Sequence, residues 1–211
     1  MVVGETRFDR VLQICEEAKR LPLVELFKNN TMTFVAGSSW QPDEDLFIEY
    51  FNQHPEVKLI IAPHVIDENH LVEIIRKLKR PYVRYTRANE KNVRKADCLI
   101  IDCFGLLSSI YRYGEIAYIG GGFGVGIHNT LEAAVYGIPV IFGPKYQKFQ
   151  EAIQLLETKG AFSVKDYAEL KTLLDRLLTD EVFLRESGLN ASNYVTSNAG
   201  ATDKIMSMIN F

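Results

Sequence analysis

The sequence predicts an α/β fold: a Rossmann-like, doubly wound parallel sheet of about six strands with helical segments at both termini. Short apolar runs alternate with longer amphipathic stretches, which is typical of a parallel sheet. The runs are continuously apolar and therefore indicate strands covered on both faces. The predicted strands are residues 31–36, 57–62, 82–85, 98–102, 116–119 and 138–142.

The stretches between and after these strands carry helical spacing of apolar residues. An opening segment, residues 8–28, also reads as helix and is broken by Pro22. We assign residues 1–30 to an N-terminal helical segment packed on a single Rossmann-like domain of residues 31–211. The predicted helices after the opening segment are residues 43–53, 67–78, 105–113, 129–136, 147–158, 167–178, 181–197 and 201–209.

Composition excludes several classes of protein. The 211 residues carry 24 Lys and Arg against 27 Asp and Glu, and this balance gives no reason to expect a nucleic-acid partner. The cysteines, Cys15, Cys98 and Cys103, form no CxxC pair, which favours a reducing compartment over a disulfide framework. No apolar run approaches the roughly 20 residues that cross a bilayer, and no signal peptide opens the chain. We therefore expect a cytoplasmic protein.

Small and polar residues follow four of the predicted strands. Ligands of doubly wound sheets bind beyond the carboxyl ends of the strands, so these residues predict a ligand crevice. The segments after the strands are residues 37–40, 63–64, 120–126 and 143–145.

A glycine-rich loop, residues 120–126, directly follows a predicted strand and precedes a predicted helix. Glycines allow close approach of the backbone to a ligand, and the start of a helix favours an anion such as phosphate. The loop matches neither GxGxxG nor a Walker loop, which disfavours classical dinucleotide binding and P-loop hydrolysis. The alternative is a tight turn capped by Asn129, with Glu132 as the reciprocal partner.

Taken together, the motifs resemble the C-terminal half of the 3-deoxy-D-manno-octulosonic acid (Kdo) transferases. They occur in the order of that family and cover nearly the whole chain. The motifs are residues 4–9, residues 37–40 with Asp43-Glu44, residues 62–64, residues 101–111, Gly121-Gly122, His128-Asn129, Leu131-Glu132 and residues 139–144.

The resemblance implies the donor-binding half of a two-domain, GT-B type glycosyltransferase of lipopolysaccharide biosynthesis. Such an enzyme transfers Kdo from CMP-Kdo to a lipid A precursor at the cytoplasmic face of the inner membrane of a Gram-negative bacterium. The N-terminal acceptor domain, which should supply the general base, is expected to be absent from this chain. We therefore expect no catalytic residue, no metal and no cofactor here. The alternatives are another GT-B type enzyme, such as a UDP-sugar 2-epimerase or a different glycosyltransferase, and a non-catalytic nucleotide-binding module.

The sequence departs from the family pattern at several positions. The family usually has serine where Phe123 stands, glycine where Ile127 stands and asparagine where Lys148 stands. A small polar residue is also commoner at the position of Cys103. These departures concern the detailed contacts with the donor and leave the fold assignment intact.

The resemblance implies a set of donor-binding residues, each with a structural alternative. Arg7 would neutralise the leaving phosphate or pair with Asp9 at the surface. Ser38 and Ser39 would bond donor oxygens or cap a helix. His64 would contact the nucleoside or pack internally. Glu132 would bond ribose hydroxyls or serve as the capping partner of Asn129. The predicted donor-binding residues are Arg7, Ser38, Ser39, Pro63, His64, Gly121, Gly122, His128, Asn129 and Glu132.

Two charge patterns complete the prediction. Asp43 and Asp45 have the D-x-D spacing that binds metal in other glycosyltransferases, but they follow a proline at a predicted helix start, where acids favour the helix dipole. Residues 76–95 hold nine Lys and Arg against one acid, Glu90. Such a run is either a solvated face or a contact with an anionic membrane. The cations proposed for membrane contact are Arg76, Lys77, Lys79, Arg80, Arg84 and Arg87.

Overall fold

The computed structural model describes residues 4–209, and its centre is a sheet in which all paired strands run parallel. The predicted fold class is confirmed, with seven strands rather than about six. The strands are β1 (Thr33–Ser39), β2 (Lys58–Pro63), β3 (Tyr82–Arg84), β4 (Cys98–Ile100), β5 (Ile116–Ile119), β6 (Val140–Phe142) and β7 (Ala161–Ser163). Their order across the sheet is β3-β4-β2-β1-β5-β6-β7.

The strand missing from the prediction is β7. Its sequence, Ala-Phe-Ser, includes a polar residue and only Ala161 is fully buried, so no continuous apolar run marks it. Its pairing with β6, in which Phe162 lies opposite Ile141, makes it an edge strand.

Helices cover both faces of the sheet and mostly begin and end within three residues of the prediction. They are α1 (Thr6–Glu16), α2 (Pro22–Lys28), α3 (Gln41–Gln53), α4 (Glu68–Lys77), α5 (Glu90–Val93), α6 (Leu107–Ile110), α7 (Leu131–Ala134), α8 (Gln150–Glu157), α9 (Tyr167–Thr179), α10 (Glu181–Ser197) and α11 (Ala201–Ile209).

Three helical segments differ from the prediction. The first turn expected at Gly105 is not helical, because that residue has a φ of +83°, and α6 continues as a 3₁₀ turn over Tyr111–Tyr113. The helix expected over residues 129–136 has only four α-helical residues. The short helix α5 was not predicted.

The continuous apolar runs arise because each strand contributes to two hydrophobic layers. Val35 and Ile60 pack in the layer that contains residues of α1, α2, α8 and α10. Phe34 and Leu59, their neighbours along the strands, pack in the layer that contains residues of α3, α4 and α9. Successive side chains of a strand point to opposite faces, so the residues that face each layer must be apolar.

The first two helices pack on the sheet. Phe8 and Val11 of α1 and Val24 and Phe27 of α2 belong to the same buried layer as Val35. The domain boundary at residue 30 stays a prediction. In residues 4–209, no helix is long and apolar enough to cross a membrane.

The order of the strands reverses between β1 and β5. From β1 the chain first builds outward through β2, and it then returns to place β5 on the other side of β1. Ligands of open α/β sheets bind at such a switch point, beyond the carboxyl ends of the strands. The segments that follow β1 and β5 therefore define the place of the site.

Candidate functional site

A stack of three rings marks the carboxyl edge of the sheet. The His64 ring, directly after β2, stacks on both Trp40 after β1 and His128 after the glycine loop, and those two rings also contact each other. The centroid of His64 is 4.7 Å from that of Trp40 and 4.4 Å from that of His128, with interplanar angles of 29° and 26°. The structure thus brings His64 and His128 together. The site prediction omitted Trp40, although its place after a strand end was a usable signal.

His128 is held as a neutral ring of defined tautomer. Burial and the nearby His64 ring lower the pKa of His128. Trp40 donates its indole N–H to Nε2 of His128 at 3.2 Å, so Nε2 is an acceptor and the ring proton lies on Nδ1. His128 therefore offers a hydrogen-bond donor at Nδ1 around neutral pH.

Two shallow hollows flank the stack. One, of about 250 Å³, is lined by residues that include Ser38, Pro63, His64 and Phe104. The other, of about 240 Å³, is lined by residues that include Trp40, Gly121, Phe123 and Val125. Phe104 and Val125 are 82% and 96% exposed, which is unusual for large apolar side chains.

The glycine loop is shaped by contacts with other loops. A Cβ on Gly120 would lie 2.2 Å from the Ser38 carbonyl oxygen, and a Cβ on Gly122 would lie 2.6 Å from backbone atoms of Gly143. Gly121 has a φ of +93°, which favours glycine. Glycines at 120 and 122 thus let the ends of β1, β5 and β6 pack backbone against backbone, rather than leaving open space for a ligand.

Asp43 ties the glycine loop to the start of α3. Its buried carboxylate accepts hydrogen bonds from the backbone N–H groups of Trp40 (3.0 Å) and Gly121 (2.9 Å) and from the Tyr118 hydroxyl (2.9 Å). Burial raises the pKa of Asp43, although these bonds favour the charged form. Asp45 instead pairs with Lys77 at 2.6 Å. Among the described residues, no group of three or more His, Cys, Asp and Glu side chains is placed to hold a metal ion.

The two serines after β1 differ in orientation. The Ser39 hydroxyl is buried and donates to Oε1 of Glu44 at 2.9 Å, so it neither faces the crevice nor caps the backbone of α3. Ser38 has a φ of +52°, and the register of β1 against β2 shifts between Gly37 and Ser39. This bulge turns Ser38 toward the hollow beside Pro63.

The capping box expected at Asn129 and Glu132 is not formed as predicted. The Asn129 side-chain oxygen accepts from the Leu131 N–H at 3.1 Å, but its side-chain amide, not its backbone N–H, donates to Glu132 at 3.0 Å. The helix α7 begins only at Leu131 because Asn129 forms this turn before it. Burial raises the pKa of Glu132. Glu132 is therefore a half-buried carboxylate that contributes little to the capping of α7.

Arg7 is held by two glutamates, and the alternative pairing with Asp9 is not formed. It pairs with Glu5 and, at 2.9 Å, with Glu151 at the start of α8. Asp9 instead accepts from the backbone N–H and hydroxyl of Thr202, both at 2.7 Å. The carboxylates of Glu5 and Glu151 raise the pKa of Arg7, so Arg7 is a fixed cation. It must leave Glu151 before it can bind a phosphate.

Half of the cations predicted to contact a membrane are used inside the fold. Arg80 donates to the carbonyls of residues 51, 54, 55 and 57 and lies over the Phe51 ring at 4.0 Å. Arg84 pairs with the buried Asp102 and with Glu68, both at 2.8 Å, and Lys77 pairs with Asp45. The other three are exposed: Arg76, Lys79 and Arg87.

Asp102, after β4, is the acceptor that fixes Arg84. It also accepts from the Thr86 N–H at 2.8 Å and from the Thr86 hydroxyl at 2.6 Å. Burial opposes ionisation, but these bonds and Arg84 outweigh it and lower the pKa of Asp102. The pair therefore anchors the 3₁₀ turn Tyr85–Arg87 to the carboxyl end of β4.

The parallel sheet, its helices on both faces and the crevice at the switch point define a Rossmann-like domain of the GT-B glycosyltransferase type. Among solved structures, the C-terminal CMP-Kdo binding domain of WaaA from Acinetobacter baumannii superposes with a TM-score of 0.70 and 18% identity, covering 90% of this chain and 99% of that one. The UDP complex of S. aureus MnaA matches with a TM-score of 0.68 and 12% identity, covering 99% of this chain and 53% of that one.

The sequence comparison narrows this class to a family. The chain is 34% identical over 172 residues to the 3-deoxy-D-manno-octulosonic acid transferase of Aquifex aeolicus, which is 79% of this chain and 46% of that protein. The chain thus spans about half the length of such curated relatives. No protein-family model matches it. The predicted resemblance is confirmed: the chain is homologous to the Kdo transferases and corresponds to their C-terminal domain.

Proposed function

We propose that this chain binds CMP-Kdo at the carboxyl edge of its sheet, as the donor-binding half of a Kdo transferase. The observation that carries the proposal is the stack of Trp40, His64 and His128 at the β1/β5 switch point, with a hollow on each side. Flat rings beside a crevice suit a nucleobase, which has apolar faces and a polar edge.

The residues around the stack suit the other parts of a nucleotide sugar. Glu132 is a half-buried carboxylate that can accept hydrogen bonds from ribose hydroxyls, and Asn129 lies beside it. Nδ1 of His128 can donate to an anionic oxygen. Arg7 can neutralise the phosphate once it exchanges Glu151 for the ligand. In this proposal the donor is held without a metal or a cofactor.

In the whole protein, we propose, a hydroxyl of a lipid A precursor attacks the anomeric carbon of Kdo while CMP departs. The general base would lie outside these 211 residues, at the cytoplasmic face of the membrane. The chain's own part is to orient the sugar and to stabilise the charge on the leaving phosphate.

A panel of nucleotides tests the proposal. We expect CMP to raise the melting temperature of the chain more than UDP, GDP or ADP at equal concentration, because a ligand that binds only the native state stabilises it. A preference for UDP would favour a UDP-sugar enzyme, a candidate that the fold match to the MnaA–UDP complex supports. Absence of any shift, with a folded chain and no heat of binding in calorimetry, would contradict the proposed site.

The variant Glu132→Ala should weaken CMP binding by roughly 10-fold or more while the domain stays folded. A lost hydrogen bond to a charged group is worth about 1.5–3 kcal/mol, and each 1.4 kcal/mol is a factor of ten. Calorimetric titration measures the loss, and Glu157→Ala, an exposed glutamate at the end of α8, is the control. Unchanged affinity together with a lower melting temperature would show that Glu132 serves only the local structure.

We also propose that the exposed cations of residues 76–95 contact an anionic membrane. Each Lys or Arg near such a surface contributes about 1 kcal/mol. We expect a variant in which Arg76, Lys79 and Arg87 are replaced by glutamate to bind liposomes containing anionic lipid less than wild type at low salt. Co-sedimentation measures this, and both proteins should be released as salt rises. The control, with equal change in charge, replaces Lys165, Arg185 and Lys204; equal retention of both variants would contradict a specific surface.

A further inference from the structure

The buried Glu44 and the half-buried His70 form a pair at the carboxyl edge of the sheet, where α3 and α4 begin. Nε2 of His70 lies 2.9 Å from Oε2 of Glu44, whose side chain is fully buried. The other carboxylate oxygen accepts from the Ser39 hydroxyl, and Nδ1 of His70 lies 2.9 Å from the Val65 carbonyl oxygen. The prediction of site residues included Ser39 but neither member of this pair.

The geometry requires a proton between the two side chains. Both ring nitrogens of His70 face oxygens, whereas a neutral imidazole has only one N–H to donate. Both contacts are hydrogen bonds only when a proton lies between Nε2 of His70 and Oε2 of Glu44, whose own pKa is raised by burial. Burial alone would lower the pKa of His70, but the hydrogen bond and attraction from Glu44 outweigh burial and raise it.

The pair connects the segment that carries Trp40 with the segment that carries His64. Ser39 directly precedes Trp40, and Val65 directly follows His64. We propose that Glu44 and His70 are positioning residues that hold His64 against Trp40 and thereby set the shape of the crevice in a pH-dependent way. This deepens the proposed function, but its test needs no ligand, so failure of nucleotide binding and failure of the positioning pair are distinguishable.

The charged groups around the pair support its ionic state. Among the described residues, Glu44 faces His70 from α3, Asp67 at the start of α4 adds attraction to the ring, and Lys77 attracts the Glu44 carboxylate. Because the pKa of His70 is raised, the contribution of the pair to stability is full just below the ordinary histidine value of about 6.5, and it ends at lower pH where Glu44, whose pKa is raised by burial, takes up its own proton. It is lost as the pH rises through the raised value.

The fluorescence of Trp40 reports on this geometry, because it is the single tryptophan of the chain and stacks on His64. We expect the emission of wild type to change with a midpoint equal to the pKa of His70, measured independently by NMR titration of the ring. In Glu44→Gln, the pKa and the midpoint should fall together, by about one pH unit or more, because an opposite charge nearby shifts a pKa by 1–3 units. In His70→Gln, this midpoint should vanish, whereas any change of emission that arises from the rings in direct contact with Trp40 should remain.

The matched control is His54→Gln, because His54 also lies 2.9 Å from a glutamate, Glu56, but follows the end of α3, away from the crevice. Its emission profile should equal that of wild type. If Glu44→Gln does not fold, the wild-type midpoint and His70→Gln still decide the question. Emission of wild type that shows no midpoint at the pKa of His70, or a midpoint unchanged in His70→Gln, would overturn the proposal.

Discussion

Replacing Gly120 by alanine should destabilise the domain by about 3 kcal/mol or more, even though it adds a single methyl group. The new Cβ would lie 2.2 Å from the Ser38 carbonyl oxygen and 2.5 Å from the Ser39 Cα. These are backbone atoms of the neighbouring strand end, so no rotamer change can relieve the overlap. Overpacking of a well-packed core usually costs 1–3 kcal/mol, and a backbone obstacle places this substitution at the upper end.

Thermal and denaturant unfolding measure this effect. A loss of about 3 kcal/mol in a domain of this size lowers the melting temperature by roughly 6–12 °C. Gly124→Ala is the matched control, because Gly124 lies in the same loop and a Cβ there would be 3.5 Å from its nearest neighbour, an ordinary contact. If Gly120→Ala were as stable as Gly124→Ala, the close backbone packing between Gly120 and the Ser38-Ser39 segment would be contradicted.

The second large effect is expected for Arg80→Ala, which should lower the free energy of unfolding by about 3 kcal/mol. Arg80 donates to four backbone carbonyls at the end of α3 and its connection to β2, and it lies 3.4 Å from Asp97. A hydrogen bond involving a charged group contributes about 1.5–3 kcal/mol, and acceptors left unpaired add a further cost. The Phe51 ring beneath the guanidinium would also lose its cover.

The neighbouring exposed residue Lys79 is the control for Arg80. Lys79→Ala should change stability by less than about 0.5 kcal/mol, as is usual for surface positions. Arg80→Lys should fall between the two, because lysine keeps the charge but not the planar fork that reaches several carbonyls. Equal stability of Arg80→Ala and Lys79→Ala would contradict a structural role for Arg80.

The architecture could be predicted from the sequence because its cause is local. A strand buried on both faces must be apolar at every position, so runs such as 57–62 and 116–119 mark the central strands whatever packs around them. Helix starts at Asp166 and Asp180 were predictable for the same reason: each aspartate accepts a backbone N–H three residues ahead. The three-residue strand β7 was not predictable, because its pairing with β6, rather than its own sequence, defines it.

The candidate site was predicted only as a location. Polar residues after strand ends converge in any doubly wound sheet, so His64 and His128 could be expected near each other. Their stacking with Trp40 depends on ring orientations that three separate loops determine. The orientations of the two serines also depend on the tertiary structure: Ser38 faces the hollow, whereas Ser39 bonds Glu44.

The sequence alone thus determined the parallel α/β fold, the relationship to the Kdo transferases and the edge of the sheet that carries the crevice. The tertiary structure alone decided which polar and charged groups are free to act there. The sequence does not show whether a charged side chain faces solvent or a partner within the fold. Arg76 is exposed, whereas Arg80 bonds backbone carbonyls, although both lie in the same run of cations. Asp43 and Glu44 likewise stand at a predicted helix start, where acids are common, yet each is buried, because groups from distant segments, Gly121 and His70, contact their carboxylates. Partners far apart in sequence are brought together only by the packing of the whole sheet.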